Sequence, residues 1–190
     1  IFAREHPGLK INIDFSDHQV DLVEQGVDLA IRIADLSDSS LHARRICPIH
    51  LRVCASPAYL KKYGTPQTPK DLKTHHVLGY KPGSGQTIRF SNSQGDEQFV
   101  NTSAQMAANN GDFLRDMAIS GHGIVMLPTF IVWQSLAAGS LVPVLESYTL
   151  PTLNAWAVYP QTRYLSQRTR RFIDFVVERC GDKPYWDQSE

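Results

Sequence analysis

The sequence predicts an α/β fold, because segments with the period of a strand alternate with segments with the period of a helix along almost the whole chain. Residues 9–15, 27–33 and 49–55 carry an apolar side chain at every second position, as a strand with one buried face does. Apolar residues at helical spacing follow these segments and recur at residues 172–180. With 190 residues, the chain has room for one medium domain or two small lobes.

The first elements predict a βαβ unit. Residues 1–8 resemble the last turns of a helix that ends at Pro7 and Gly8, so we expect the natural protein to continue upstream of Ile1. The strand at 9–15 leads into a helix that begins with capping-box spacing at Ser16 and ends at Gly26. A strand at 27–33 follows, and right-handed crossover rules place it parallel to the first.

The middle of the chain begins with a predicted loop at residues 35–45. A strand at 49–55 precedes a helix that starts at Ser56 and Pro57 and stops at Gly64, and a second helix start follows at residues 68–71. Further short strands are expected at 77–80, 87–90 and 98–101, the last two joined as a hairpin by the polar turn at 91–96.

The second half predicts another α/β core. A helix is expected after residues 109–112. The unbroken apolar run at 124–128, which follows the glycines at 121 and 123, fits a strand buried on both faces. The pattern is completed by a helix at 130–138, strands at 141–145 and 153–159, and a terminal helix. The terminal helix has one apolar face.

Composition excludes several classes of protein. Nineteen basic residues balance nineteen acidic ones, so the chain lacks the positive field of a domain that grips phosphate backbones by itself. No window approaches the roughly 20 apolar residues of a membrane-spanning helix. The three cysteines, Cys47, Cys54 and Cys180, form no C-x-x-C pair, and we expect them to be small buried side chains in a reducing compartment, the cytoplasm.

Seven stretches in register resemble the effector-binding domain of LysR-type transcriptional regulators, particularly the branch with regulators of glycine cleavage and of β-lactamase. They cover the chain from residue 1 to about 179 and are residues 6–8, 20–32, 38–41, 55–60, 68–72, 109–112 and 121–128. The resemblance implies two Rossmann-like subdomains similar to type 2 periplasmic binding proteins, joined by two crossing strands at 49–55 and 153–159. Subdomain I would comprise residues 1–54 and 155–190, and subdomain II, inserted into it, residues 55–154.

The same resemblance implies the partners. A small effector, expected to be anionic, binds between the subdomains, and its binding is transmitted through a homodimer or homotetramer. The dimer contact implied pairs residues 9–24 with residues 112–120 of a second copy. DNA is bound only through a winged helix-turn-helix, which is absent from this chain, as is the family's first strand. No contact with a membrane is expected.

Helix starts and one strand end supply the candidate effector site, because free N–H groups at a helix start favour carboxylates and other small anions. Arg32 has the fork geometry for a carboxylate, above an apolar floor of Ile33 and Ala34. Ordinary capping, pairing of Arg32 with Asp28 or Asp35, and a solvated turn for the serines are the alternatives. The remaining candidates are Ser16 and Asp17 at one helix start, Ser39 and Ser40 in the loop, and Asn109, Asn110, Gly111 and Asp112 at the other helix start.

Catalysis and metal binding are not predicted. The glycine-rich residues 81–86 lack the G-x-S-x-G pattern of a hydrolase nucleophile, and the side chains of His75 and His76 point to opposite sides of any extended backbone, as expected of surface residues. The basic run at residues 42–45 lies near acidic residues and favours a solvated or interface face over DNA contact. We therefore expect no enzyme, no cofactor and no metal. A transport-type solute-binding protein is the alternative function.

Overall fold

The computed structural model describes residues 1–15, 22–34, 42–80, 86–160 and 165–188. Contacts divide the chain into two compact units: unit 1 is Ile1–Pro48 with Leu153–Tyr185, and unit 2 is Ile49–Thr152 with Trp186–Glu190. The subdomain boundaries expected at 54/55 and 154/155 stay a prediction.

The described residues include two 3₁₀ helices, at Pro69–Thr74 and Tyr185–Asp187. The other elements are, in chain order, α1 (Phe2–Glu5), β1 (Ala30–Ala34), β2 (His42–Ile49), β3 (Leu51–Ala55), α2 (Pro57–Tyr63), β4 (Val77–Tyr80), β5 (Gln86–Ser91), β6 (Glu97–Thr102), β7 (Ala104–Ala108), α3 (Gly111–Ile119), β8 (Ile124–Pro128), α4 (Thr129–Ala137), β9 (Val142–Pro143), β10 (Leu153–Tyr159) and α5 (Gln167–Cys180).

Unit 1 contains a three-stranded sheet in the order β1-β10-β2. β1 runs antiparallel to β10, with Ala30 opposite Val158 and Ala34 opposite Asn154. The terminal helix predicted from its apolar stripe is confirmed as α5, which begins at the N-cap Ser166 and buries Ile173. The ring of Phe2 meets that of Phe172 edge-on at 5.1 Å between centroids, so α1 packs on α5.

The predicted βαβ unit at the start of the chain is wrong. Residues 9–15 form no strand, and the side chains of Ile13 and Phe15 are 69% and 95% exposed. Alternation alone does not make a strand, because the backbone groups must also be paired, and no pairing of residues 9–15 occurs in the described parts of the chain. The partner of β1 is the distant, antiparallel β10. Of the helix expected between Ser16 and Gly26, residues 16–21 lie outside the described residues, and 22–26 form a turn.

The predicted loop at 35–45 also needs correction, because β2 already begins at His42. Its first four residues are exposed and polar or small, and its last four are buried. A sequence reading based on apolar alternation detects only the second half of such a strand. The remaining part of the predicted loop, residues 35–41, lies outside the described residues.

Unit 2 is built on a five-stranded sheet in the order β7-β4-β8-β3-β9. β4 is parallel to β7 and β8, whereas β3 is antiparallel to β8 and β9. Adjacent residues in a strand face opposite sides of the sheet, and here both sides are buried: Ile124 belongs to one apolar cluster and Val125 to the other. The prediction that this strand is buried on both faces is therefore confirmed.

Different elements cover the two faces of this sheet. α3 and α4 cover one face through side chains such as Leu114 and Val132. The other face is covered by α2, the 3₁₀ helix at Pro69–Thr74 and the β5–β6 hairpin, through side chains such as Tyr59, Leu72 and Phe90. Among the helices in the described residues, none is long and apolar enough to cross a lipid bilayer.

Candidate functional site

The start of α3 carries four of the predicted effector residues. Asn110 is the N-cap of this helix, and its side-chain oxygen accepts a hydrogen bond of 2.8 Å from the backbone N–H of Phe113. The N–H groups of the first turn of a helix have no acceptor within the helix. Those of Gly111 and Asp112 therefore point outward from the amino-terminal end of α3. Asn109 and Asn110 are exposed, next to the carboxyl end of β7. Capping is thus present, and it leaves the geometry of an anion site intact.

Gly111 allows this helix start to lie close to α4. A Cβ atom at position 111 would come within 2.5 Å of Cδ1 of Ile131. A larger residue there would push α3 away from α4 or force Ile131 into another rotamer. The glycine therefore lets α3 pack against Ile131 without a shift of that side chain.

Charge at the same end of α3 is balanced locally. Asp112 lies in the first turn, where a carboxylate is favoured by the helix dipole, and accepts a 2.6 Å hydrogen bond from Arg115. Arg115 also pairs with Asp116 at 2.9 Å. The helix start thus offers N–H donors together with one carboxylate whose charge is partly neutralised.

Three further candidates lie on β1 in unit 1. Arg32 is half-buried and Ala34 half-buried, whereas Ile33 is exposed. The carbonyl oxygen of Ala34 accepts a 3.1 Å hydrogen bond from the indole N–H of Trp156, which fixes the end of β1 against β10. The isoleucines of β1, Ile31 and Ile33, therefore lie on the more exposed face, contrary to the expectation that this alternating set forms the buried face.

The other predicted effector residues, Ser16, Asp17, Ser39 and Ser40, lie outside the described residues. The candidates that are described fall into the two units, with Arg32, Ile33 and Ala34 in unit 1 and Asn109, Asn110, Gly111 and Asp112 in unit 2. Within each unit, they are neighbours on one element.

A polar network missed from the sequence links α2 to β4. The hydroxyl of Tyr59 accepts a 2.9 Å hydrogen bond from the backbone N–H of His76 and lies 3.1 Å from Nδ1 of His75. Burial lowers the pKa of His75, with a smaller opposing effect from the nearby charge of Asp71. Since both histidines are half-buried, the prediction that they are surface residues is only partly met. The sequence shows only that Tyr59 follows the N-cap residue Ser56 by three positions, and this spacing does not predict a contact with either histidine.

Two surface cavities have none of the described effector candidates among their lining residues. One of about 490 Å³ in unit 2, at the amino-terminal ends of β4 and β7, is lined by residues that include Tyr63, His76 and His122. The other, of about 260 Å³ in unit 1, lies beside the start of α5 and includes Arg168 and Arg171. No group of three or more possible metal-ligating His, Cys, Asp or Glu side chains occurs among the described residues.

Comparison with known proteins decides the family. The family model of the LysR substrate binding domain matches residues 1–181. The chain belongs to the LysR substrate-binding domain family. It is 37% identical over 183 residues to the HTH-type transcriptional regulator CrgA of Neisseria meningitidis serogroup B, covering 95% of this chain and 60% of that regulator. The chain thus spans about 60% of the length of such curated relatives.

Solved structures of LysR-type regulators agree. The regulatory domain of CrgA from Neisseria meningitidis matches with a TM-score of 0.82 and 37% identity, over 95% of this chain and 88% of that chain. The full-length virulence activator AphB of Vibrio cholerae matches with a TM-score of 0.80 and 27% identity, over 93% of this chain and 60% of that chain. The resemblance seen in the sequence is confirmed, and the fold is the periplasmic-binding-protein-like α/β fold with two subdomains.

The chain is thus a substrate-binding domain of the kind that the matched transcriptional regulators contain, and a transport-type binding protein is not favoured. The matched relatives are named as transcriptional regulators and not as enzymes.

Proposed function

We propose that this LysR substrate-binding domain senses a small anionic effector and that the start of α3 supplies the main anion contact. The observation that carries the proposal is the exposed, Asn110-capped helix start, which directs backbone N–H groups toward solvent at the carboxyl end of a parallel strand. In α/β sheets, ligands bind at the carboxyl ends of the strands. The end of β7 and the start of α3 meet this description within unit 2.

Arg32 is the second proposed contact. Its guanidinium has two parallel N–H groups that match a carboxylate, and its β-carbon lies on a strand anchored by the Trp156 to Ala34 hydrogen bond. Ile33 and Ala34 beside it would contact an apolar part of the effector. Ser16, Asp17, Ser39 and Ser40, which lie outside the described residues, remain proposed contacts on the sequence argument alone. That the effector is held between the two subdomains stays a prediction.

The test is a thermal-shift screen of small carboxylic acids, amino acids and phosphorylated metabolites, followed by calorimetric titration of any hit. A ligand at a hundredfold excess over its Kd stabilises the folded state by about 2.7 kcal/mol, which for a chain of this size corresponds to a rise in Tm of roughly 5–11 °C. Neutral amides of the same acids are the control ligands. A panel in which amides stabilise as well as the acids would contradict an anion site.

Substitutions at the helix start separate effector contact from capping. Asn110→Ala removes the cap, whereas Asn110→Ser keeps a capping oxygen and changes only the side chain presented to a ligand. Ser166→Ala removes the N-cap of α5 in unit 1 and is the matched control for loss of a cap. We expect both Asn110 variants to bind a hit more weakly and Ser166→Ala to bind it normally. Normal binding by both Asn110 variants would overturn the proposed contact.

The partners are also proposed. We expect a homodimer or homotetramer in which residues 9–24 meet the region of α3 in a second copy, and DNA binding through a helix-turn-helix elsewhere in the protein. Exposed Phe113 and Ile119 on α3 support this interface. The protein would act in the cytoplasm, without contact to a membrane and without enzymatic activity, as expected of a regulator of transcription. Sizing of the chain by light scattering tests the dimer directly.

A further inference from the structure

Two cysteines that are far apart in sequence meet in unit 1. Cys47 lies on β2 and Cys180 is the last residue of α5. The thiol of Cys47 lies within hydrogen-bonding reach of the sulfur of Cys180. Sequence spacing suggests no pairing, because the two cysteines are separated by most of the chain. Their contact is a product of the fold.

Contacts next to the thiols hold the same two segments together. Arg45, two residues before Cys47 on the same strand, donates a 2.8 Å hydrogen bond to Asp182, two residues after Cys180. The same guanidinium donates a 2.7 Å hydrogen bond to Asn154 on β10. Arg44 forms an ion pair with Asp174 on α5. The approach of the two sulfurs is therefore supported by polar contacts that do not involve the thiols.

The two thiols differ in their exposure. Cys47 is only 1% exposed, whereas Cys180 is partly open to solvent at the end of a helix. Burial is the largest influence and raises the pKa of the Cys180 thiol above its ordinary value, although the hydrogen bond from Cys47 and the nearby charge of Arg179 partly oppose this rise. Because of its exposure, Cys180 is the sulfur that an oxidant can reach, and Cys47 is the neighbour that can react with it next.

The third cysteine lacks these features. Cys54 is fully buried in the apolar cluster beneath α3 and α4 of unit 2, and burial raises its pKa to about 12. Its thiolate is therefore negligible at neutral pH. This cysteine is an internal control for reactivity.

We propose that Cys47 and Cys180 form a peroxide-oxidisable dithiol that closes reversibly to an intramolecular disulfide between β2 and the end of α5. The Cys180 thiolate attacks one oxygen of a hydroperoxide, the O–O bond breaks, and the released oxygen leaves as water or an alcohol after taking up a proton. The sulfenic acid formed on Cys180 is then attacked by the sulfur of Cys47, the S–O bond breaks, and the hydroxide leaves as water with the proton of Cys47. Two thiols are oxidised and one hydroperoxide is reduced.

Disulfides of this kind in a reducing compartment are transient and sense oxidants. Cys47 is one residue before Pro48, the last residue of this stretch of unit 1. A disulfide at Cys47 would fix the end of β2 just before the chain enters unit 2. Oxidation would therefore act on a segment through which the two units are covalently connected.

Treatment of the purified chain with hydrogen peroxide, followed by mass spectrometry of the intact chain and of peptides under non-reducing conditions, tests the proposal. We expect the wild type and Cys54→Ser to lose two hydrogen atoms, to yield one linked peptide pair containing Cys47 and Cys180, and to return to the starting mass with dithiothreitol. Cys47→Ser and Cys180→Ser should yield no linked pair. The linked form should also unfold at a higher temperature, by roughly 5–15 °C, because the tether restricts the unfolded chain.

Other outcomes would overturn the proposal. They are oxygen addition to Cys180 without linkage, linkage between two chains, linkage through Cys54, or an unchanged mass. The peptide map of the wild type decides between them even if the buried substitution Cys47→Ser prevents folding. Cys180→Ser, at a partly exposed position, provides the second variant.

Discussion

At the level of single residues, Asn110 has a structural role that can be measured apart from any ligand. Its side-chain oxygen accepts the N–H of Phe113, so Asn110→Ala should destabilise the chain by about 1 kcal/mol, whereas Asn110→Ser should stay within a few tenths of the wild type. Urea unfolding of both variants measures the difference. Equal stability of the alanine and serine variants would show that the cap contributes nothing in water.

The hydroxyl of Tyr59 makes the protonation of His75 a second residue-level test. This hydroxyl accepts the N–H of His76, so its own proton is available for Nδ1 of neutral His75, and protonation of that nitrogen removes the acceptor. Burial lowers the folded-state pKa of His75 below its ordinary value of 6.5, so the unfolded chain binds more protons between the two values. The contribution of His75 to stability is therefore complete above about pH 6.5 and decreases as the pH falls through this window.

We accordingly expect His75→Gln to lose less stability than the wild type between pH 7.5 and pH 5.5. Urea unfolding at the two pH values gives the comparison, and His122→Gln, at an exposed histidine, controls for removal of an imidazole. If His75→Gln and the wild type lose the same free energy of unfolding, the Tyr59 contact does not depend on the charge of His75.

At the level of elements, the sequence predicts the strands and helices that are marked by residues within them or next to them. It misses the strands that depend on pairing with a distant segment. β4 and β10 have the expected bounds, and α3 begins at the expected cap, because apolar runs and capping residues mark them. β7 has the sequence Ala-Gln-Met-Ala-Ala, which favours a helix, and is a strand only because it pairs in parallel with β4. The alternation at residues 9–15 is misleading for the opposite reason, since no described strand pairs with it.

The close approach of β8 to the segment before β4 depends on Gly123. A Cβ atom at position 123 would lie 2.4 Å from the carbonyl oxygen of His76, which accepts the N–H of Ile124 at 2.8 Å. Gly123→Ala should therefore destabilise unit 2 by about 1–3 kcal/mol, because backbone atoms must move to make room. Gly8→Ala is the control, as a Cβ at position 8 meets nothing within 4 Å, and it should stay within about 0.5 kcal/mol of the wild type.

Denaturant unfolding of the two glycine variants measures both effects. A Gly123→Ala chain as stable as Gly8→Ala would mean that β8 and the residues before β4 can separate at no cost. The same result would weaken the view that the parallel pairing of β4 and β8 fixes the order of the sheet in unit 2.

At the level of the whole molecule, the chain order explains why the candidate site was only partly predictable. Unit 2 is one continuous stretch apart from its final residues, whereas unit 1 joins two stretches separated by unit 2. Contacts in unit 1 therefore span long separations, such as 122 residues between Ala34 and Trp156. Periodicity and capping rules act over a few residues and cannot predict such pairs, including the contact between Cys47 and Cys180.

The proposed assembly provides the last test at this scale. Phe113 and Ile119 are 44% and 36% exposed at opposite ends of α3, and burial of such side chains against a second copy would stabilise a dimer. Phe113→Asp or Ile119→Asp would place an unpaired carboxylate in that interface, so each should convert dimers to monomers in light-scattering measurements. Phe99→Asp, on the hairpin strand β6 and 63% exposed, is the matched control and should leave dimers intact. The Ile119→Asp variant is needed because Ile119 lies at the opposite end of α3 from the Asn110 cap. A loss of dimers in this variant cannot be ascribed to a damaged helix start. Dimers that persist in both variants would exclude an interface that buries Phe113 and Ile119 of α3.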